Sequence, residues 1–197
     1  MKFAVPVRLL WLAVQLSVLL FVLSCLAAAS IQAQPWEYAT REEALDHAFP
    51  DGEKRVPVAL KFAPELTAVV RKETGLKLNP KVMECYQGQR DGQVTSYACI
   101  DNVIGMKRYI TYIIRVEHPE ARIGFVEIMV YREKIGNMVR FPRFKDQLVD
   151  KTLADPIRIN QDIRRIYGAT FSSRHLSNGA KRMLLVYEHY LRNLPAQ

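Results

Sequence analysis

The residues best suited to chemistry lie together in the run 162–174, Asp-Ile-Arg-Arg-Ile-Tyr-Gly-Ala-Thr-Phe-Ser-Ser-Arg. Gly168 lets the backbone turn tightly. Ala169 keeps the side-chain volume small, and Thr170 offers a hydroxyl just ahead of an amphipathic segment. Ser172 or Ser173 suits the N-cap of a helix predicted over 173–194. The free N–H groups of a first helical turn, together with the helix dipole, favour an anion beside Thr170, including a phosphate esterified to its hydroxyl. Arg174 adds a formal positive charge. Serines at a helix start serve equally as plain caps, so the local pattern alone gives a phosphate-compatible helix start and no more.

Other reactive groups carry less. His47, His118, His175 and His189 are scattered, and with the cysteines they show no metal-ligand spacing. No pair of catalytic carboxylates and no Ser-His-Asp set is readable, which argues against a hydrolase. The cysteines are Cys25, Cys85 and Cys99. With Cys25 removed or lipidated, an even pair remains for an oxidising compartment. Cys85 and Cys99 flank Arg90-Asp91-Gly92-Gln93, a hairpin-turn signal. If Arg90 pairs with Val94, Cys85 falls opposite Cys99, and a slip of one residue separates them. A disulfide and a pair of small buried apolar side chains are both open readings. Phe141 and Phe144 are expected in the core, and Arg140, Arg143 and Lys145 on a solvated face.

These groups need elements to position them. The 197-residue length suits one domain plus an export segment. Lys2 and Arg8 precede an apolar stretch over 9–29, broken only by Gln15, Ser17 and Ser24, which is an export signal. Three fates are open. Cleavage could follow Ala27-Ala28-Ala29 or Ile31-Gln32-Ala33. Val22-Leu23-Ser24-Cys25 is similar to a lipobox, which would put a lipid on Cys25. Uncut, the stretch reaches the ~20 apolar residues that span a bilayer. Each fate makes residues 1–34 a signal peptide or membrane anchor and puts 35–197 outside the cytoplasm, in the periplasm or held at the membrane. The net charge is +8, and without Lys2 and Arg8 the balance is 26 basic to 20 acidic residues. That favours anionic partners, membrane headgroups included. No nucleic-acid-binding signature appears.

Along 35–197, Thr40-Arg41-Glu42-Glu43 is a capping box that opens a short helix to about Ala48. Pro64 opens a second helix that Gly75 stops, with Leu66, Val69 and Val70 on one face. A hairpin occupies 81–101, and strands are predicted over 109–116 and 123–131. In the last of these, Val126, Ile128 and Val130 are expected on one face, and Phe125, Glu127, Met129 and Tyr131 on the other. Pro142 opens a short helix to about Leu148. Leu176, Ala180, Met183, Leu184, Tyr187 and Leu191 follow the helical period. Strands in the middle and helices at both ends predict an α+β domain. It consists of a central antiparallel sheet of hairpins flanked by helices, with a long C-terminal helix.

The ordered set of motifs resembles the FMN-binding domain family, which includes RnfG- and NqrC-like flavin-carrying electron-transport subunits, and within it an exported single-domain subgroup. The resemblance rests on Gly168-Ala169-Thr170 with Phe171-Ser172-Ser173. Upstream it takes in Glu42-Glu43-Ala44-Leu45, Asp101-Asn102-Val103-Ile104-Gly105, Ile110-Thr111-Tyr112, Val130-Tyr131-Arg132-Glu133 with Gly136, Phe144, Gln147 and Leu148, and Lys151-Thr152-Leu153. The family motif has the form Asp-x-x-(Ser/Thr)-Gly-Ala-(Thr/Ser), and a flavin transferase links FMN through its phosphate to the final hydroxyl. The resemblance therefore implies FMN as cofactor, held at Thr170 with Gly168, Ala169, Ser172 and Ser173. Glu133, Gly136 and the Ile104-Gly105 turn would form the walls. It implies an electron carrier whose partners are the flavin transferase and a membrane redox protein such as an iron–sulfur subunit. Two positions depart from the motif: Arg164 stands where the family has Asp, and Tyr167 where it has Ser or Thr. Arg164 could pair with the phosphate instead, which leaves noncovalent binding open. The competing expectations are a diverged member without flavin, acting as an exported binding or assembly subunit, and a binder of another phosphate ligand.

Overall fold

The computed structural model describes residues 11, 15–18, 35–50 and 52–196. Residues 35–197 form a compact unit of their own, distinct from residues 1–34. Most of the apolar stretch over 9–29, its cleavage sites and Cys25 lie outside the described residues. Among the described residues no helix is long and apolar enough to cross a membrane.

The domain is α+β. Six antiparallel strands, β1 (Trp36–Glu37), β2 (Lys54–Val58), β3 (Glu84–Arg90), β4 (Gln93–Ile104), β5 (Tyr109–Glu117) and β6 (Arg122–Tyr131), form one sheet in the order β1-β6-β5-β4-β3-β2. Among the described residues from 35 onward, four α-helices accompany them: α1 (Arg41–Ala48), α2 (Pro64–Thr74), α3 (Pro142–Lys145) and α4 (Thr170–His189). Residues 35–197 hold every strand, the disulfide and both core clusters.

The local signals explain most element boundaries. The Thr40 hydroxyl accepts from the Glu43 amide, and the Glu43 carboxylate accepts from the Thr40 amide, which completes the capping box of α1. α2 starts on Pro64 and stops at Gly75, which takes the left-handed conformation. Leu66 and Val70 are buried there, whereas Val69 is exposed, contrary to expectation. Asp91 and Gly92 both have positive φ, as a two-residue hairpin turn demands.

Register shifts at Gly88/Gln89, Thr111/Tyr112 and Arg115/Val116 decide what lies opposite what. In the β3–β4 hairpin Arg90 pairs with Gln93, not Val94, yet Cys85 still pairs with Cys99. A bulge at Gly88/Gln89 restores the register, and the two cysteines form a disulfide. In β6 a second bulge falls where Thr111 pairs with Val130 but Tyr112 pairs with Ile128. The extra residue, Met129, reverses the alternation. Val126 and Ile128 join the large core as expected, but Val130 packs on the opposite face and Tyr131 is returned to the side of α4.

The large core lies between one sheet face and the helices α2 and α4, with Tyr97, Tyr112, Ile114, Leu176, Met183 and Tyr187 among its members. Each such side chain contributes roughly 1.5–3 kcal/mol on burial. α1 covers the other face, over Ile113 and Met129. α4 approaches the sheet at Gly179, where a Cβ would meet the Tyr112 hydroxyl at 2.5 Å.

β3 ends opposite Ile100, so the last residues of β4 have no strand beside them on that side. Side chains close this edge. The Asn102 amide donates to the Asp101 carboxylate at 2.7 Å, and the Asn102 carbonyl accepts from Arg182 of α4 at 2.9 Å. Arg182 also reaches the Lys77 carbonyl and pairs with Asp101, both side chains being buried. Burial pushes the Asp101 carboxyl up, and the Arg182 guanidinium opposes that shift. His175 Nδ1 lies 2.6 Å from the Ile104 carbonyl. A cleft of about 1000 Å³ opens over this edge, between Leu76, Leu78 and Val82 on one side and Ile104, Tyr109 and Arg132 on the other.

Candidate functional site

α4 begins earlier than its sequence predicts, at Thr170 rather than Ser173, and its N-cap is Ala169. The two serines expected as caps are engaged elsewhere. The Ser173 hydroxyl accepts from the Ile166 amide at 3.1 Å, and the Ser172 hydroxyl bonds the Tyr131 hydroxyl at 2.9 Å. With Ala169 as N-cap no side chain caps the helix. The Thr170, Phe171 and Ser172 amides therefore lack intrahelical acceptors. The Thr170 hydroxyl is half-buried and has no hydrogen-bond partner among the described residues. Of three hydroxyls at this helix start, two are bonded within the fold and that of Thr170 is not, among the described residues.

The approach to Thr170 is built from small residues. Gly168 has φ of 75° and Gly136 has φ of 90°, both in the left-handed region. A Cβ on Gly136 would meet the Tyr131 hydroxyl at 2.7 Å and the Ala169 Cα at 3.3 Å. The segment after β6 thus rests directly on the turn before α4. Tyr131 ties the two together, since its hydroxyl reaches both the Ile135 carbonyl at 2.7 Å and Ser172. The bulge at Met129 makes this possible, because it turns Tyr131 toward α4. The sequence carries no local signal for that role.

Glu133 is expected as a wall residue, and its carboxylate instead braces a neighbouring turn. It accepts from the Lys107 and Arg108 amides, the latter at 2.7 Å. Burial pushes the Glu133 carboxyl up, but these amides outweigh it and hold the group below the usual carboxylate range. A Cβ on Gly105 would meet the Glu133 carboxylate oxygen at 2.9 Å. The Ile104-Gly105 turn, Glu133, Gly136 and the start of α4 are therefore in one continuous neighbourhood. His175 completes it from α4, bonded to the Ile104 and Gly105 carbonyls.

Upstream, Asp162 has a structural role. Its carboxylate accepts from the Ile157 and Arg158 amides at 3.1 and 2.9 Å and pairs with Lys151 at 3.0 Å. Arg164 is exposed, and Gln147 clamps its backbone through both the amide and the carbonyl. The guanidiniums of Arg164 and Arg174 make no ion pair among the described residues. Tyr167 is fully outside the fold at 93% exposure. Phe144 is buried as expected, whereas Phe141 is exposed, with the Arg140 guanidinium 4.3 Å from its ring. Among the described residues no group of His, Cys, Asp or Glu could hold a metal ion.

Chemically, this neighbourhood can accept an anionic group. It offers the Thr170 hydroxyl and three amides of a 20-residue helix that lack intrahelical acceptors, with the exposed Arg174 in the second turn of the same helix. Comparison of the chain with protein-family models and with curated proteins finds no match.

Proposed function

We propose that the domain is an exported FMN-binding electron carrier, with the FMN phosphate held at Thr170 as a phosphoester. The observation that carries this reading is the state of the three hydroxyls. Tyr131 occupies Ser172 and the Ile166 amide occupies Ser173, while the Thr170 hydroxyl is unengaged at an uncapped helix start. The residues present fit such a group. The first-turn amides would bind phosphate oxygens, and Gly168, Ala169 and Gly136 would leave room for them. The Ile104-Gly105 turn, fixed by Glu133 and His175, would supply a wall. When bound, FMN supplies the electron-transfer chemistry, and the protein orients it and sets its electrostatic surroundings. The excess of basic residues favours an anionic cofactor and approach to an anionic membrane. By the family resemblance, a flavin transferase would install the group and a membrane redox subunit would exchange electrons with it.

The test is direct. The chain is exported in cells that contain a flavin transferase, purified, and then denatured. Retained yellow colour and an FMN-sized mass increment on the peptide bearing Thr170 are expected, and Thr170→Ala removes both. Colour lost on denaturation indicates noncovalent FMN, with Arg164 as the natural partner of the phosphate. A colourless chain that takes up no FMN overturns the electron-carrier reading and favours an exported binding or assembly subunit.

A further inference from the structure

The exposed apolar side chains are not spread evenly. From residue 35 onward, eleven large hydrophobic residues are exposed among the described residues, and eight of them lie on three segments, 104–109, 132–141 and 164–175. These segments touch. Glu133 binds the amides at 107 and 108, Gly136 abuts Ala169, and the Met138 methyl lies 3.9 Å from where a Gly168 Cβ would stand. The most exposed of the eight are Tyr167 at 93% and Ile135 at 72%. Met106 and Phe171 project from the other parts of the same face. Such clustering marks an interaction surface, since scattered single residues would need no explanation.

Charge identifies the partner. The same three segments carry eight Lys or Arg residues and one acidic residue, Glu133. Backbone amides engage that carboxylate, which keeps its charge, so the segments carry eight cations against one anion. Lys107, Lys134, Arg164, Arg165 and Arg174 are all exposed. A cluster of exposed apolar side chains on segments rich in exposed cations, with Glu133 their one acidic residue, matches an anionic lipid interface. There the apolar groups enter the acyl boundary and the cations meet anionic headgroups. The core of a protein interface is depleted of charged residues, whereas here cations lie on every segment that carries the apolar side chains.

We infer that this face docks the domain on an anionic lipid surface, through Met106, Ile135, Tyr167 and Phe171 with their surrounding lysines and arginines. The inference does not depend on flavin. It sets the start of α4 against the membrane whether or not Thr170 carries a cofactor.

Residues 35–197, which hold the whole sheet and both cores, are mixed with vesicles of phosphatidylcholine alone or with one-third phosphatidylglycerol, and sedimented. Binding is expected to the anionic vesicles, at least ~tenfold tighter than to the neutral ones and weakened by salt. Ile135→Asp combined with Tyr167→Asp should lower it by ~tenfold or more, with an unchanged thermal midpoint. Val69→Asp, on the exposed side of α2, should leave it unaltered. Failure to bind anionic vesicles overturns the inference and leaves the face to a protein. Equal binding by the double variant overturns it too. FMN uptake by the same samples is scored separately, so failure of the flavin reading is distinguishable.

Discussion

The first turn of α4 and its interior obey opposite rules. In the interior nearly every polar group is spent on the fold. Arg182 binds two backbone carbonyls and Asp101, Asn178 donates to the Thr74 carbonyl, and Ser177 donates to the Ser173 carbonyl. Farther on, the Tyr187 hydroxyl bonds His118 at 2.9 Å beneath Tyr97. In the first turn, by contrast, the N-cap is an alanine, the Thr170 hydroxyl is idle, and Tyr167 and Phe171 project outward. A helix start left this incomplete costs stability that a serine cap would restore. Under the proposed function, α4 is a structural member along most of its length and a binding device at its uncapped tip; the interior is not wholly satisfied either, since Arg182 Nε is buried without a partner among the described residues.

Substitutions can break or sharpen this contrast. The largest effect is expected for Arg182→Met, which leaves Asp101 buried without its partner and strips the Asn102 and Lys77 carbonyls of a donor. Loss of ~3–5 kcal/mol of unfolding free energy in chemical denaturation would mark the interior as structural. Tyr131→Phe sits on the border between the two regions, since it frees both Ser172 and the Ile135 carbonyl. It should cost ~1–3 kcal/mol and weaken ligand binding at Thr170, read by calorimetry with FMN. Thr170→Ala should change stability by less than ~0.5 kcal/mol while it abolishes the cofactor adduct. A large destabilisation there would mean that the tip is structural after all.

The smallest effect is a pH dependence. The folded Glu133 carboxyl lies below its unfolded value, so its contribution is fully present above the unfolded carboxylate pKa. It is lost as pH falls through the lower folded value. Exchange protection of the Lys107 and Arg108 amides should therefore fade on acidification below the ordinary Glu range. Glu133→Gln should show weak protection at every pH.

Much of the scaffold was legible because its signals are local. The capping box at Thr40, the Asp91-Gly92 turn, the stop at Gly75 and the 3.6 period of α4 each depend on a few adjacent residues, and each appears as expected. The cysteine pairing was reached through a register that the Gly88 bulge alters and then restores. What sequence could not carry was long-range. Nothing near Met129 announces the bulge that sends Tyr131 to α4, and nothing near Ser172 or Ser173 shows that distant groups claim their hydroxyls. The start of α4 was misplaced for that reason. Asp101 and Arg182 are far apart in the chain, so neither predicts the other. The turn at Gly168 was legible from its glycine, but that the Thr170 hydroxyl bonds no group among the described residues, while those of Ser172 and Ser173 do, exists only in three dimensions.

The side chains that close the end of β4 bear on the order of events during synthesis. An unpaired strand edge is a template on which another chain can add a strand. Here Arg182 and His175 shield that edge, and both belong to the last long element of the chain. The sheet can assemble from residues that emerge earlier, but its open edge waits for α4. Until α4 is made, the end of β4 lacks the side chains that cover it in the folded domain, and the final helix acts as the latch on that edge.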